Sequence, residues 1–129
     1  MMLTDTERKN IVGRYVRAYN RFDVEAMVAE FDEEVIFKNI AGGEVTLELQ
    51  GLDAFRKQAE QAAGLFSERE QKIENINCRG DVCEAAIEYE GKLACDLPNG
   101  LKAGDLIRLK GKSVFVFRGR KIYRLEDIS

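Results

Sequence analysis

Histidine is missing from this 129-residue chain, and tryptophan with it. Without histidine there is no His-dependent catalytic triad, no His metal ligand and no imidazole acid–base catalysis. Proton transfer then falls to Asp, Glu, Tyr, Cys or Lys. Three cysteines, an odd number, do not make a disulfide framework. Lacking histidine partners they do not make a zinc site either, so no metal and no cofactor is expected. No run approaches the roughly 18 apolar residues of a membrane span, and the opening MMLTDTERKN has no apolar core of the signal-peptide kind. The expectation is a cytoplasmic protein with no membrane partner. A formal charge of −3 gives no general attraction to nucleic acid.

What is present suits one domain spanning residues 1–129 with a sizeable core, at 45% hydrophobic and 33% charged residues. Charge is uneven: residues 21–99 carry 18 acidic and 8 basic side chains, and residues 100–129 carry 3 and 8. The densest acid cluster, EFDEEVIFKN at 30–39, poses a choice between an active site and a solvated corner where a helix meets a sheet.

Thr4 and Glu7 form a capping-box pattern, and Ile11, Val12, Tyr15, Val16 and Tyr19 follow at helical spacing, with Arg8, Arg14, Arg17 and Arg21 largely outside the stripe. Asp23 caps a second helix with Val24, Met27, Val28 and Phe31 on one face. EVIFKN and EVTLELQ read as strands around a Gly42-Gly43 turn. A third helix runs from Gly51 with Leu52, Phe55, Ala59, Ala62 and Phe66 at helical spacing. A hairpin centred on Gly80-Asp81, a Pro98-Asn99-Gly100 turn holding the single proline, and two long strands joined around Gly119 complete the chain. This order is an α+β domain with helices on one face of a curved antiparallel sheet. SVFVF at 113–117 reads as a strand buried on both faces, which leads us to expect a homodimer through the sheet. Cys78 and Cys83 fall opposite one another in the hairpin, able to bond but expected to stay reduced in the cytoplasm. Cys95 is expected to be buried on another strand. Arg108, Lys110 and Lys112 alternate along one strand face, and pairing with Glu84, Glu88 and Glu90 is the economical reading.

The stretches GRYVRAYNRFDVEAMVAEFDEEVIF, GLDAFRKQA and LPNGLKAGDLIRLKGKSVFVFRGRKIYRLEDIS resemble the nuclear-transport-factor-2-like superfamily, in its ketosteroid-isomerase-like and SnoaL-like polyketide-cyclase-like branch. The resemblance implies a cystatin-like cone, a bent sheet wrapped around helices, often with a pocket at its mouth and often dimeric. It also implies roles. Ketosteroid isomerases use a helix-one tyrosine and a later acid as oxyanion donors and a second acid as base. Tyr15 matches the tyrosine, whereas the base position falls on Asn39 and the later acid on Ser113. The acid cluster then belongs to the solvated corner.

Each residue also has a plainer role: Tyr15 as a core tyrosine, Asn39 and Ser113 as ordinary polar lining. Tyr19, Phe31, Phe37, Phe55 and Phe115 are core residues, some of them expected to line a ligand pocket. The leading expectation is a pocket protein for a small, largely apolar ligand without strong acid–base machinery. The alternatives are an isomerase, cyclase or dehydratase using Tyr15, with Asp105 or Asp127 as replacement base, and a dimeric interaction scaffold.

Overall fold

The computed structural model describes residues 3–129. Its elements are α1 (Asp5–Asn20), α2 (Val24–Val28), β1 (Phe31–Ala41), β2 (Glu44–Gln50), α3 (Leu52–Ala63), β3 (Phe66–Arg79), β4 (Val82–Leu93), β5 (Leu106–Arg118) and β6 (Lys121–Ile128). Among the described residues no helix is long and apolar enough to cross a membrane.

Local sequence sets the helix ends. The Thr4 hydroxyl accepts from the Glu7 amide at 3.1 Å while the Glu7 carboxylate accepts from the Thr4 amide at 3.0 Å. These reciprocal bonds satisfy two otherwise orphaned donors of the first turn. Asp23 caps α2 through the Ala26 amide at 3.1 Å. Phe22, between the two helices, holds φ at 59°, a left-handed conformation costing about 1–2 kcal/mol for a residue with a Cβ.

Two expected helix boundaries move. Phe31 opens β1 instead of extending α2, and α3 stops at Ala63, leaving Phe66 to open β3. In both places a short apolar run satisfies helical and strand spacing equally, and sheet pairing decides. Cys95 also departs from expectation, lying half-buried in a bend after β4. Arg8, expected on the wet side of α1, is buried with its guanidinium 3.4 Å from Asp5 and 3.6 Å from Asp81.

The six strands form one curved, unclosed sheet in the order β2-β1-β6-β5-β4-β3. Four pairings are antiparallel, as expected, but β1 and β6 run parallel. The last strand therefore enters the middle of the sheet. Asn20 ties the end of α1 to β3, accepting from the Gln71 amide at 2.7 Å and donating to the Gln71 carbonyl at 3.0 Å.

The core lies between the helices and the inner sheet face, around Val12, Val35, Phe115, Ile122 and Leu125, each at most 1% exposed. On β5 the inward residues Ser113, Phe115 and Phe117 are buried, whereas Val114 and Val116 on the other face are half-buried. The strand is thus less two-sided than SVFVF suggests. Arg108 and Lys112 do reach Glu90 and Glu84 across β4–β5, at 3.5 and 3.4 Å. Cys78 and Cys83, opposed across the β3–β4 hairpin, are joined in a disulfide where reduced thiols were expected. Direct opposition in the ladder brings the two sulfurs within bonding distance.

Phe115 is the largest side chain sealed completely. Phe115→Ala is expected to lower unfolding free energy by about 3–5 kcal/mol, as buried phenylalanine truncations do. Urea unfolding followed by circular dichroism measures it, and a loss below about 1 kcal/mol would contradict the packing described.

Candidate functional site

Two adjoining hollows, about 170 and 290 Å³, meet at Tyr19, Asn39 and Asp127. The register explains the meeting. Asp127 on β6 pairs with Asn39 on β1 to one side and Ser113 on β5 to the other. Side chains on neighbouring strands at the same register share a face, so three polar groups from distant parts of the sequence stand in a row across the sheet. The larger hollow is walled by Tyr15, Met27, Phe37, Leu47, Phe55 and Arg69, among others. The smaller is walled by Gln71, Ile87, Tyr89, Leu109 and Ser113.

The Ser113 hydroxyl donates to Asp127 Oδ1 at 2.7 Å. Burial raises the Asp127 carboxyl to about 6, with the Ser113 hydrogen bond pulling the other way. Desolvation wins because one neutral donor replaces only part of a carboxylate's hydration. A carboxylate tuned close to neutrality, on a concave apolar wall, is suited to take up and return a proton near pH 7.

The tyrosines complete the site. Tyr15 is held by ring contacts, with centroids 5.4 Å from Phe31 and 5.7 Å from Phe115. Its hydroxyl is pushed well above the ordinary phenol range by burial and then by the Asp127 charge, with no hydrogen bond among the causes. It therefore stays a neutral donor wherever the protein is folded. The Tyr19 hydroxyl donates to that of Tyr89 at 3.2 Å, and burial raises both phenols. Asn39 is oriented by a 2.8 Å bond from its amide to the Thr46 hydroxyl.

Of the residues the sequence singled out, Tyr15, Tyr19, Phe37, Asn39, Phe55 and Ser113 line the hollows. Two do not. Phe115 is fully sealed in the core, and Phe31 stacks against Tyr15 and Phe55 and lines a separate hollow with Val28, Asp32 and Arg118. The cavity also holds a carboxylate. It is Asp127, whereas Asp105, its companion candidate, is exposed in the loop before β5. Arg69, Gln71 and Tyr89 were missed. The structure shows them by the alternating burial of β3 and β4, but in the sequence SEREQK is polar throughout and reads as the exit from a helix.

The acid cluster is a charge-paired corner. Glu30 takes Arg14 at 2.6 Å, and Arg118 bridges Asp32 and Glu34 at 3.0 and 3.1 Å. Asp32 also accepts the Glu34 amide at 2.9 Å.

Residues 12–125 match the model of the SnoaL-like domain family. A comparison with curated proteins finds no match. Among solved structures, a candidate polyketide cyclase from Xanthomonas campestris pv. campestris superposes with a TM-score of 0.83 at 20% identity, covering 96% of this chain and 90% of that one. A protein of ketosteroid-isomerase-like fold from Catenulispora acidiphila gives 0.75 at 15%, covering 91% and 82%. An LEH-like epoxide hydrolase from M. tuberculosis gives 0.77 at 15%, covering 95% and 82%. At these identities the likeness speaks for the fold alone.

The Asp127 shift carries a stability signature. Its folded value, about 6, lies above the ordinary 3.8, so between those values the native state holds a proton that the unfolded chain has released. Stability therefore falls as pH rises through that window. Asp127→Asn removes the effect, and the variant should gain on wild type by up to about 3 kcal/mol between about pH 4 and pH 7. Urea melts across that range test it, and a pH-independent difference between the two proteins would refute the assignment.

Proposed function

The chain belongs to the SnoaL-like family, and we propose that it is a proton-transfer enzyme acting on a small, largely apolar carbonyl compound. Asp127 is the general base in this reading, and its carboxyl raised to about 6 beside an apolar hollow carries the proposal. The kinds of activity named for its structural neighbours, a candidate cyclase and an epoxide hydrolase, favour an enzyme over a scaffold.

The carboxylate oxygen not engaged by Ser113 takes a proton from the carbon next to the carbonyl. The electron pair left behind moves onto the carbonyl oxygen as an enolate. The Tyr15 hydroxyl, kept neutral by burial, donates to that oxygen and stabilises the developing charge. Where the substrate carries a carbon–carbon double bond one position beyond the deprotonated carbon, the charge spreads over a dienolate. Protonated Asp127 then returns the proton to its far end, which moves the double bond into conjugation and is isomerisation. Alternatively the enolate carbon adds to a second carbonyl of the same molecule, which closes a ring, and Asp127 protonates the resulting alkoxide. The larger hollow, about 290 Å³, has the volume for a one- or two-ring compound. The extended apolar wall holds the substrate, and Asn39 and the Tyr19–Tyr89 pair give it polar points of orientation.

The test is exchange of α-protons for deuterium, followed by NMR, across a panel of cyclic ketones and 1,3-diketones. Exchange above the buffer rate is expected, rising with pH through about 6 as Asp127 ionises. Asp127→Asn should lower it by about a hundred- to ten-thousandfold. Tyr15→Phe should lower it by about a hundredfold while the inflection stays. Catalysed exchange that persists undiminished in Asp127→Asn would show that the base lies elsewhere.

A further inference from the structure

We propose that Arg69 anchors a carboxylate on the substrate, so that the compound the cavity takes is a small keto acid, held by its acid group while its carbonyl end faces Asp127. This rests on the reading of Asp127 as base. It starts from a separate observation, a buried cation with no counter-charge.

Arg69 sits on β3 with only 6% of its surface exposed, between the exposed Glu68 and Glu70, and forms part of the wall of the larger hollow. Its Nε donates to the Tyr19 carbonyl at 3.0 Å, and its guanidinium carbon lies 3.7 Å from the Tyr19 ring centroid and 4.6 Å from that of Phe22. Its Nη2 is shut away from solvent with no hydrogen-bond partner. Among the described residues no carboxylate lies within salt-bridge distance of it. The other buried arginine, Arg8, is answered by two carboxylates, Asp5 and Asp81.

A guanidinium does not shed its proton on burial, so an unanswered one stays charged at a heavy cost in solvation. The two aromatic rings offset part of that cost through their π faces. They leave the hydrogen-bonding capacity unmet. Asp127 shares the hollow but stands apart, with Ser113 as its hydrogen-bond partner and no arginine among the causes of its shift. The cavity thus offers a cation and a base at separate points. Because Nε is committed and Nη2 is shut away from solvent, the donor left to a ligand is Nη1, which can give a carboxylate a charge-assisted hydrogen bond. Gln71, the next inward residue on β3, lines the smaller hollow, and its Oε1 is likewise buried without a partner.

Calorimetric titration of the full chain at about pH 7.5 with cyclohexanecarboxylate and cyclohexanecarboxamide decides the matter. The two probes have the same ring and differ in charge. Wild type is expected to bind the acid about tenfold more tightly than the amide, the margin of one charge-assisted hydrogen bond over a neutral one. Arg69→Met should abolish that preference, Arg69→Lys should keep part of it, and Asp127→Asn should keep all of it. Equal affinities in wild type, or a preference surviving in Arg69→Met, would overturn the proposal. The wild-type comparison decides even if an Arg69 variant does not fold. Exchange of the ring protons of 4-oxocyclohexanecarboxylate separates the two readings. Arg69-dependent binding without exchange leaves the anchor and removes Asp127 as base; exchange without an acid preference leaves the base and removes the anchor.

Discussion

The parallel pairing of β1 with β6 holds the molecule's chemistry in place. An all-antiparallel meander would set the last strand at an edge. Here it lies between β1 and β5, so a residue almost at the end of the chain looks into the cavity from the middle of the sheet. Register does the rest, giving Asp127 the neighbours Asn39 and Ser113. A one-residue slip of β6 would turn the carboxylate to the other face and put Glu126 or Ile128 in its place. Leu125 and Ile122, fully buried on the same strand, make such a slip expensive.

That arrangement concentrates uncompensated polarity in one place. Asp127 has a single hydrogen-bond donor, and Arg69 has two aromatic rings and a carbonyl but no anion. Elsewhere charges are matched, as at Arg8 with Asp5 and Asp81, or Arg118 with Asp32 and Glu34. The contrast is one of charge: among the described residues Arg8, Arg56 and Arg118 each have a carboxylate within salt-bridge distance, and Arg69 on the cavity wall has none.

Much of this was readable in the chain. The capping box, the Gly80-Asp81 hairpin and the apolar stripe of α1 are local features, governed by residues a few positions apart, and they stand where the sequence puts them. The family resemblance carried the sheet and the cone. It also led to Asn39 and Ser113, which turned out to flank the carboxylate without being it. Asp127 could be named only as a residue to check, because its burial arises from a β1–β6 contact between residues some ninety positions apart. Arg69 was invisible for a related reason. In SEREQK every residue is polar, so no hydrophobic alternation marks which ones turn inward, and only the pairing of β3 with β4 decides it. Phe115 is core and not wall because apolarity alone does not distinguish the lining of a hollow from the filling beneath it.

The sheet's failure to close leaves two strands with a bare hydrogen-bonding edge, β2 and β3. Such edges invite another strand to add on, the first step of sheet-to-sheet aggregation. β3 is the longer hazard at 14 residues, and its sequence is guarded throughout: Glu68, Glu70, Lys72 and Glu74 stand exposed along it, and its pairing with β4 shifts register in two places. β2 is only seven residues long and carries Glu44, Glu48 and Gln50 in exposed positions. Charge, brevity and irregular register let a curved sheet stay unclosed without making its rims a template for other chains.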